Sequence, residues 1–290
     1  MTDIAYRRRL GAAAVVAALA AVLLAGCSPV TILNALAPTG NLELRLAVPY
    51  GEHPRQRLDT YTPREAAEPR PVVVFFYGGG WDSGSRESYL FVAEALASRG
   101  FVVVVPDYRI YPEVVFPAFL DDSAAAVAWA VRNARAIGGD PGRVFLMGHS
   151  AGAHIAAMLA LDPQYLARAG LTPAALSGFI GLAGPYDFLP LKEPQLKIIF
   201  APPETIARTQ PINFVAPGAP PAFLAAPATD DRVSPGNTVR LSARLRAAGV
   251  PVTEQSYADL NHYTIVAVLS VPLRDSYSVL DDIERFVRAR

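Results

Sequence analysis

Residues 144–152 read Val-Phe-Leu-Met-Gly-His-Ser-Ala-Gly, and this stretch decides the fold. Four apolar residues lead into a G-x-S-x-G pentapeptide, and a helix-like apolar run follows at 154–160. A strand, a tight turn and a helix in that order form the context in which this pentapeptide exposes a serine at the top of a sheet. Flanking glycines let the backbone turn sharply without side-chain clashes. The pattern therefore predicts that Ser150 is a nucleophile, and not an ordinary residue of a glycine-rich turn.

Strand-like and helix-like segments alternate on both sides of this turn. The runs at 72–77 and 101–105 are continuous β-branched or aromatic residues, which is typical of strands buried on both faces of a parallel sheet. The alternation predicts an α/β fold with a mostly parallel, eight-stranded sheet that is flanked by helices on both faces and begins with two antiparallel strands. Strands are expected at 42–48, 56–61, 72–77, 101–105, 143–147, 178–183, 222–226 and 252–257, and helices at 87–99, 118–136, 151–160, 236–248 and 275–289.

The amino terminus has the features of an export signal. Three arginines at 7–9 precede an apolar stretch at 10–25, and Leu-Ala-Gly-Cys ends it at Cys27. The apolar stretch is shorter than the ~20 residues that span a bilayer as a helix, which favours a removed signal over the alternative, a short membrane anchor. Leu-Ala-Gly-Cys also resembles the bacterial lipobox, in which the cysteine becomes the lipid-modified first residue, and Ser28 after it is compatible with outer-membrane sorting.

These features predict three segments: a lipoprotein signal peptide at 1–26, a tether at 27–40 and a catalytic domain at 41–290. The resemblance implies an exported bacterial envelope lipoprotein on the periplasmic side, held at the outer membrane through lipidated Cys27. Cys27 is the only cysteine, so no disulfide within the chain is possible. Net charge is zero and the basic residues are scattered, so we expect no nucleic-acid partner.

A serine nucleophile needs a base within hydrogen-bond reach and a carboxylate that orients the base. The chain has four histidines. His53 lies in a polar loop, His149 is the variable residue of the pentapeptide and is expected to point away from the serine hydroxyl, and His154 is expected to pack. His262 lies in a loop just after the last predicted strand. Because this fold orders its triad as serine, acid, histidine, we predict His262 as the base.

The acid is expected after the strand at 222–226, where Asp230 and Asp231 stand side by side. Successive side chains in a loop at a strand end point apart, so only one of the two is expected to face His262. The other aspartate then belongs to a solvated turn, in which aspartate is common. The residues alone leave both open.

When a serine attacks an acyl group, negative charge develops on the carbonyl oxygen, and backbone N–H groups are needed to stabilise this oxyanion. Gly78, Gly79 and Gly80 follow the first buried strand, where bare backbone can approach a substrate oxygen, and the N–H of Ala151 is expected to complete the hole.

Several segments together carry a family resemblance that covers nearly all of the chain after the signal. The chain resembles an α/β-hydrolase of the carboxylesterase type, related to the hormone-sensitive-lipase and feruloyl-esterase-like groups. The segments are 77–81 (Tyr-Gly-Gly-Gly-Trp), 107–109 (Asp-Tyr-Arg), 139–141 (Gly-Asp-Pro), 148–154, 184–187 (Gly-Pro-Tyr-Asp) and the aspartate and histidine loops.

The resemblance implies ester hydrolysis without a metal or an organic cofactor. In such relatives the triad aspartate is often followed at the third position by valine, which favours Asp230, with Asp231 as the alternative. The chain departs from the common pattern at three places. Tyr77 stands where histidine is frequent, Ala226-Pro227 replaces the His-Gly commonly seen before the aspartate loop, and Asn261 stands where glycine often precedes the histidine.

We therefore expect a serine carboxylesterase that acts on a small-molecule ester, with Ser150, Asp230 and His262 as the triad. An amidase, formamidase or peptidase on the same fold, or a non-catalytic binding lipoprotein, are the alternatives. Trp81, Tyr108 and Tyr186 are candidates for lining the substrate cleft.

Overall fold

The structure is a computed structural model and describes residues 28–65 and 69–290. Its centre is one sheet of eight strands in the order β1-β2-β4-β3-β5-β6-β7-β8. The first three neighbouring strands pair antiparallel, and all pairings from β4 through β8 are parallel. The strands are β1 (Leu42–Pro49), β2 (Arg57–Pro63), β3 (Arg70–Phe76), β4 (Val102–Pro106), β5 (Gly139–His149), β6 (Gly178–Leu182), β7 (Ala222–Pro227) and β8 (Val252–Tyr257).

Helices connect the parallel strands. They are α1 (Pro29–Ala35), α2 (Leu90–Ser98), α3 (Ala118–Asn133), α4 (Ala151–Leu161), α5 (Pro163–Arg168), α6 (Pro194–Ile199), α7 (Gly236–Ala247), α8 (Thr264–Ala267) and α9 (Val279–Arg288). The chain leaves β3 through α2 to reach β4 on one side, and returns through α3 to β5 on the other side. Right-handed crossovers in opposite directions place their helices on opposite faces of the sheet. The predicted helix-flanked, mostly parallel sheet is confirmed.

The buried strands explain why these elements form. Every residue of β4 is buried, and only the first residue of β3 is not, as their valine-rich sequences predict. The predicted strands and long helices agree with the structure to within a few residues at each end. The largest differences are at two starts: β5 begins at Gly139, four residues early, and α9 begins at Val279, four residues late and after a 3₁₀ turn at Arg274–Ser276.

The predicted tether is helical over part of its length. Residues Pro29–Ala35 form α1. Ser28 caps this helix, because its Oγ accepts a hydrogen bond from the N–H of Thr31. Asn34 then joins α1 to the domain, because its side chain donates to the carbonyl oxygen of Glu87 and accepts from the N–H of Phe91. The segment 28–35 is therefore helical and hydrogen-bonded to the rest of the fold, and the division into a tether at 27–40 and a domain at 41–290 stays a prediction. Cys27 and the predicted signal lie outside the described residues.

Candidate active site

Ser150 stands on a strained turn between β5 and α4. Its φ of 54° and ψ of −121° lie in a region that residues with a side chain rarely adopt. The flanking glycines are required by close approach: a Cβ on Gly148 would lie 2.1 Å from the carbonyl oxygen of Gly152, and one on Gly152 would lie 2.0 Å from that of Phe76. The strand, turn and helix predicted around the serine are therefore present, and the turn is held by backbone packing.

The structure brings Ser150, His262 and Asp230 together. The Nδ1 atom of His262 lies 2.8 Å from Oδ2 of Asp230, and its Nε2 atom lies 2.9 Å from Oγ of Ser150. An ionised carboxylate only accepts, so His262 donates through Nδ1, and its Nε2 is left to accept the serine proton. These contacts have the geometry of a nucleophile, a base and an orienting acid.

Of the two adjacent aspartates, Asp230 is buried and faces His262, whereas Asp231 is exposed. The second oxygen of Asp230, Oδ1, accepts hydrogen bonds of 2.9 Å from the N–H groups of Arg232 and Val233. Burial raises the pKa of Asp230, but the hydrogen bonds from His262 and from the two N–H groups outweigh burial and leave that pKa below its ordinary value. The carboxylate is thus kept ionised beside the imidazole.

Asn261 shapes the loop that carries His262. Its side-chain oxygen accepts hydrogen bonds from the N–H groups of Tyr263 and Thr264, at the start of α8. Asparagine is a favoured residue at helix starts for this reason. Asn261, which stands where glycine is common, therefore has a structural role. It fixes the position of α8 directly after His262.

The glycine loop lies against the serine turn. A Cβ on Gly78 would lie 3.1 Å from the Cβ of Ser150, so glycine makes this close approach easy. The N–H groups of Gly79, Gly80 and Ala151 donate to no acceptor within residues 28–65 and 69–290. The N–H of Gly78 lies beside the Tyr89 hydroxyl, where it opposes the rise in the pKa of Tyr89 that burial causes.

Tyr77 anchors the glycine loop to the sheet. Its ring is stacked between those of Tyr89 and Tyr108, at centroid distances of 5.6 and 4.9 Å. Its hydroxyl donates to Oδ1 of Asp107 at 2.8 Å and accepts from Arg55 at 2.9 Å. Tyrosine in place of the common histidine therefore joins the start of the loop to a buried network of charged groups.

The same network holds the far end of the loop. Arg55 donates to the carbonyl oxygen of Gly84, and Oδ1 of Asp107 accepts from the N–H of Arg86. The Arg86 side chain forms ion pairs with Asp59 and Asp107. Both ends of the loop are thus connected through the groups that contact the Tyr77 hydroxyl.

Two of the three residues predicted to line the cleft lie elsewhere. Tyr108 and Tyr186 are fully buried: the Tyr108 hydroxyl donates to the carbonyl oxygen of Tyr77, and Tyr186 packs under Gly181 and Gly184. The prediction is wrong for these two, because tyrosines at strand ends turn into the core here. Trp81 is almost buried within an aromatic cluster formed by Phe116, Phe119, His154, Phe188 and Phe200. Its place in the cleft stays a prediction.

One cavity borders the glycine loop, and a second lies in the segment between β6 and β7. A cavity of about 530 Å³ lies between α1 and the glycine loop, with Thr31 and Asn34 on one wall and Gly78 and Gly79 on the other. An apolar cavity of about 490 Å³ lies in the proline-rich segment between β6 and β7, lined by Leu189, Pro190, Leu191, Lys197, Ala201 and Ile206. Residues of the predicted tether therefore form a wall beside the glycine loop.

His149 is a residue of the site that the sequence reasoning missed. The expectation that its side chain points away from the serine hydroxyl names no partner for it, and in the structure its Nε2 atom lies 2.7 Å from the backbone carbonyl oxygen of His262. The sequence signal that could have indicated this contact is the position of His149 directly before the nucleophile, on the same turn.

Among the described residues, no three or more His, Cys, Asp or Glu side chains are grouped so that they could hold a metal ion. Within the same part of the chain, none of the helices has the length and apolar character needed to cross a bilayer.

Residues 58–245 match the family model described as BD-FAE. The chain belongs to the BD-FAE family. The match spans the sheet from β2 to β7 and includes the glycine loop, the serine turn and Asp230, and it ends before His262.

Curated relatives and solved structures agree with this family. The chain is 33% identical over 224 residues to the esterase LipC of Mycobacterium tuberculosis, covering 70% of this chain and 55% of that protein. It is 29% identical over 269 residues to the isoprenylcysteine alpha-carbonyl methylesterase ICME of Arabidopsis thaliana, covering 85% of this chain and 62% of the relative. The chain thus spans less than two thirds of the length of these relatives.

A hyperthermophilic esterase from the archaeon Pyrobaculum calidifontis superposes with a TM-score of 0.73 at 22% identity, covering 90% of each chain. At this level of identity the likeness shows the fold, which is that of the α/β-hydrolases.

Proposed function

We propose that this protein is a serine carboxylesterase that cleaves carboxylic esters through an acyl-enzyme. The observation that carries the proposal is the alignment of Ser150, His262 and Asp230 through two hydrogen bonds of 2.9 and 2.8 Å. The names of the relatives support the bond class, because LipC is called an esterase and ICME a methylesterase.

In the first half of the reaction, Oγ of Ser150 attacks the ester carbonyl carbon and its proton passes to Nε2 of His262. Asp230 stabilises the resulting imidazolium and keeps its ring oriented. The N–H groups of Gly79, Gly80 and Ala151 receive the oxyanion, and each such donor is typically worth ~3 kcal/mol in the transition state. The bond to the alcohol oxygen then breaks, and His262 returns the proton to that oxygen.

In the second half, water attacks the acyl-enzyme and gives its proton to His262. A second tetrahedral intermediate forms in the same hole, and the bond to Oγ of Ser150 breaks. His262 returns the proton to Oγ, so the free enzyme and the carboxylic acid are released. The strained φ of Ser150 keeps Oγ at the tip of the turn throughout.

The experiment is hydrolysis of p-nitrophenyl acetate by the wild type and by Ser150→Ala. We expect turnover by the wild type and a fall to background in the variant, together with loss of labelling by a fluorophosphonate probe. Ser85→Ala, in the loop but without contact to the triad, is the control. Equal turnover by wild type and Ser150→Ala would refute the nucleophile, and absence of labelling in the wild type would favour a binding protein.

We also propose that the protein is a lipoprotein of the bacterial envelope, attached through Cys27 and acting on the periplasmic side of the outer membrane. The support is the Leu-Ala-Gly-Cys sequence after an apolar stretch. Labelling of cells with an alkyne fatty acid should mark the wild type and not Cys27→Ser. Fractionation should find the wild type with outer membranes, and an equally labelled, equally sorted Cys27→Ser variant would refute the proposal.

A further inference from the structure

Two neighbouring residues of the serine turn both hold His262. Ser150 contacts the imidazole ring, and His149 contacts the backbone of the same residue, with 2.7 Å between its Nε2 atom and the carbonyl oxygen of His262. A carbonyl oxygen only accepts, so the proton lies on Nε2 of His149. His262 is therefore fixed at its ring by Ser150 and Asp230 and at its main chain by His149.

The surroundings of His149 keep it in this role. The residue is 4% exposed, its ring centroid lies 5.0 Å from that of His262, and a Cβ on Gly78 would lie 3.0 Å from its Nδ1 atom. It is therefore packed between the glycine loop and the histidine loop. Burial, followed by the charge of His262, lowers the pKa of His149 to about 4, so the ring is a neutral donor near neutral pH.

We propose, on the basis of the ester-hydrolase function proposed above, that His149 is a positioning residue for the base: its Nε2–H holds the main chain of His262 so that the imidazole stays aligned with Ser150. The histidine loop joins β8 to the short helix α8, and the contact connects residues 113 positions apart in the chain. Small misplacements of a catalytic group are costly, because a shift of ~1 Å can reduce a rate about 100-fold.

His154 provides a matched control within the same molecule. It lies in α4, is fully buried, and places its Nε2 atom 2.8 Å from the backbone carbonyl oxygen of Thr209. Burial lowers its pKa to about 4 as well, and in both histidines Nδ1 has no hydrogen-bond partner among the described residues. The two histidines differ in the carbonyl group that they hold, and only His149 holds the residue proposed as the base.

The test compares His149→Asn with His149→Gln. Glutamine can place an amide N–H close to the position of Nε2, whereas the shorter asparagine places it near Nδ1, out of reach of the carbonyl oxygen. For p-nitrophenyl acetate, with active sites counted by fluorophosphonate titration, we expect His149→Asn to lower kcat by about tenfold with KM changed by less than about twofold. His149→Gln should recover most of kcat, and His154→Asn should leave kcat within about twofold of wild type.

The inference is overturned if His149→Asn keeps the wild-type kcat, if His154→Asn loses as much as His149→Asn, or if asparagine and glutamine are equally impaired. A His149→Asn protein that does not fold is replaced by His149→Leu, judged against His149→Gln by the same criteria. Wild-type protein that hydrolyses no ester refutes the proposed function alone. The inference is then decided by the rate of fluorophosphonate labelling of Ser150, for which the same ranking of variants is expected.

Discussion

Oδ2 of Asp230 lies 2.8 Å from Nδ1 of His262, whereas the adjacent Asp231 is exposed to solvent. Backbone N–H groups occupy the other oxygen of Asp230, so the side chain has one orientation. The burial of one aspartate and the exposure of the other make the assignment of the acid directly testable.

Asp230→Asn should lower kcat for p-nitrophenyl acetate by about 10³-fold or more, because an amide in this place no longer selects the tautomer of His262 that accepts the serine proton. Asp231→Asn is the matched control and should stay within about twofold of wild type. Steady-state kinetics with titrated active sites provides the measurement. The reverse ranking of the two variants would assign the acid to Asp231.

Acid should destabilise the fold through its buried histidines. The pKa of His154 falls from the ordinary 6.5 to about 4 on folding, chiefly through burial, so the unfolded chain binds a proton that the folded chain does not. The contribution of His154 to the free energy of unfolding is then fully present above pH 6.5 and is lost as the pH decreases toward 4. At pH 4.5 the loss from this residue is about 2 to 3 kcal/mol.

Urea unfolding at pH 7.5 and 4.5 measures this effect. His154→Gln should show a smaller loss of unfolding free energy between the two pH values than the wild type. Ser85→Ala is the control, because a serine hydroxyl does not titrate between these pH values and its loss should leave the pH dependence unchanged. A pH dependence that is identical in His154→Gln and wild type would contradict the assignment of the proton to His154.

Tyr77→Phe keeps the stacked ring and removes the hydroxyl that bridges Asp107 and Arg55. Because both ends of the glycine loop depend on these groups, we expect kcat to fall severalfold with little change in KM. Tyr257→Phe removes an equivalent bond of 2.8 Å, to Asp282 of α9, and should lower the unfolding free energy by about 1 kcal/mol without changing kcat. Equal kcat values in the two variants would argue against the anchoring of the loop by Tyr77.

Asn34 supplies two hydrogen bonds that attach α1 to the domain. In one of them its Oδ1 accepts from the N–H of Phe91, 57 residues later in the chain, and so caps the start of α2. Asn34→Ala should lower the unfolding free energy by about 1 to 2 kcal/mol. Thr31→Ala lies in the same helix and loses only the local contact with Ser28, so a smaller loss is expected. Urea unfolding compares the two, and equal losses would mean that α1 is not attached through Asn34.

Much of this architecture could be predicted from local sequence. The valine runs of β3 and β4 indicate buried parallel strands, and the strand, turn and helix around Ser150 fix the place of the nucleophile. His262 and the aspartate pair follow from chain order, because the fold presents its acid and base in a known sequence. These features depend on short stretches of chain.

The contacts that sequence reasoning missed connect distant segments. The role of His149 depends on a carbonyl group 113 residues away, and the docking of α1 depends on Asn34 reaching Glu87 and Phe91. The burial of Tyr108 and Tyr186 depends on which way a side chain turns at the end of a strand. No periodicity in the chain encodes such choices, because they are decided by three-dimensional packing.

Gly152 lies where the serine helix closely approaches the sheet. A Cβ at this position would lie 2.0 Å from the carbonyl oxygen of Phe76 and 2.6 Å from that of Tyr77, and both atoms belong to the backbone, which cannot rotate away. Gly152→Ala should therefore push α4 away from β3, displace the N–H of Ala151 and lower both kcat and the unfolding free energy, the latter by about 3 kcal/mol. Gly40→Ala is the control, because no atom lies within 4 Å of the added Cβ. Thermal unfolding and p-nitrophenyl acetate kinetics measure the pair, and a Gly152→Ala variant as stable and active as Gly40→Ala would show that the close contact is absent in solution.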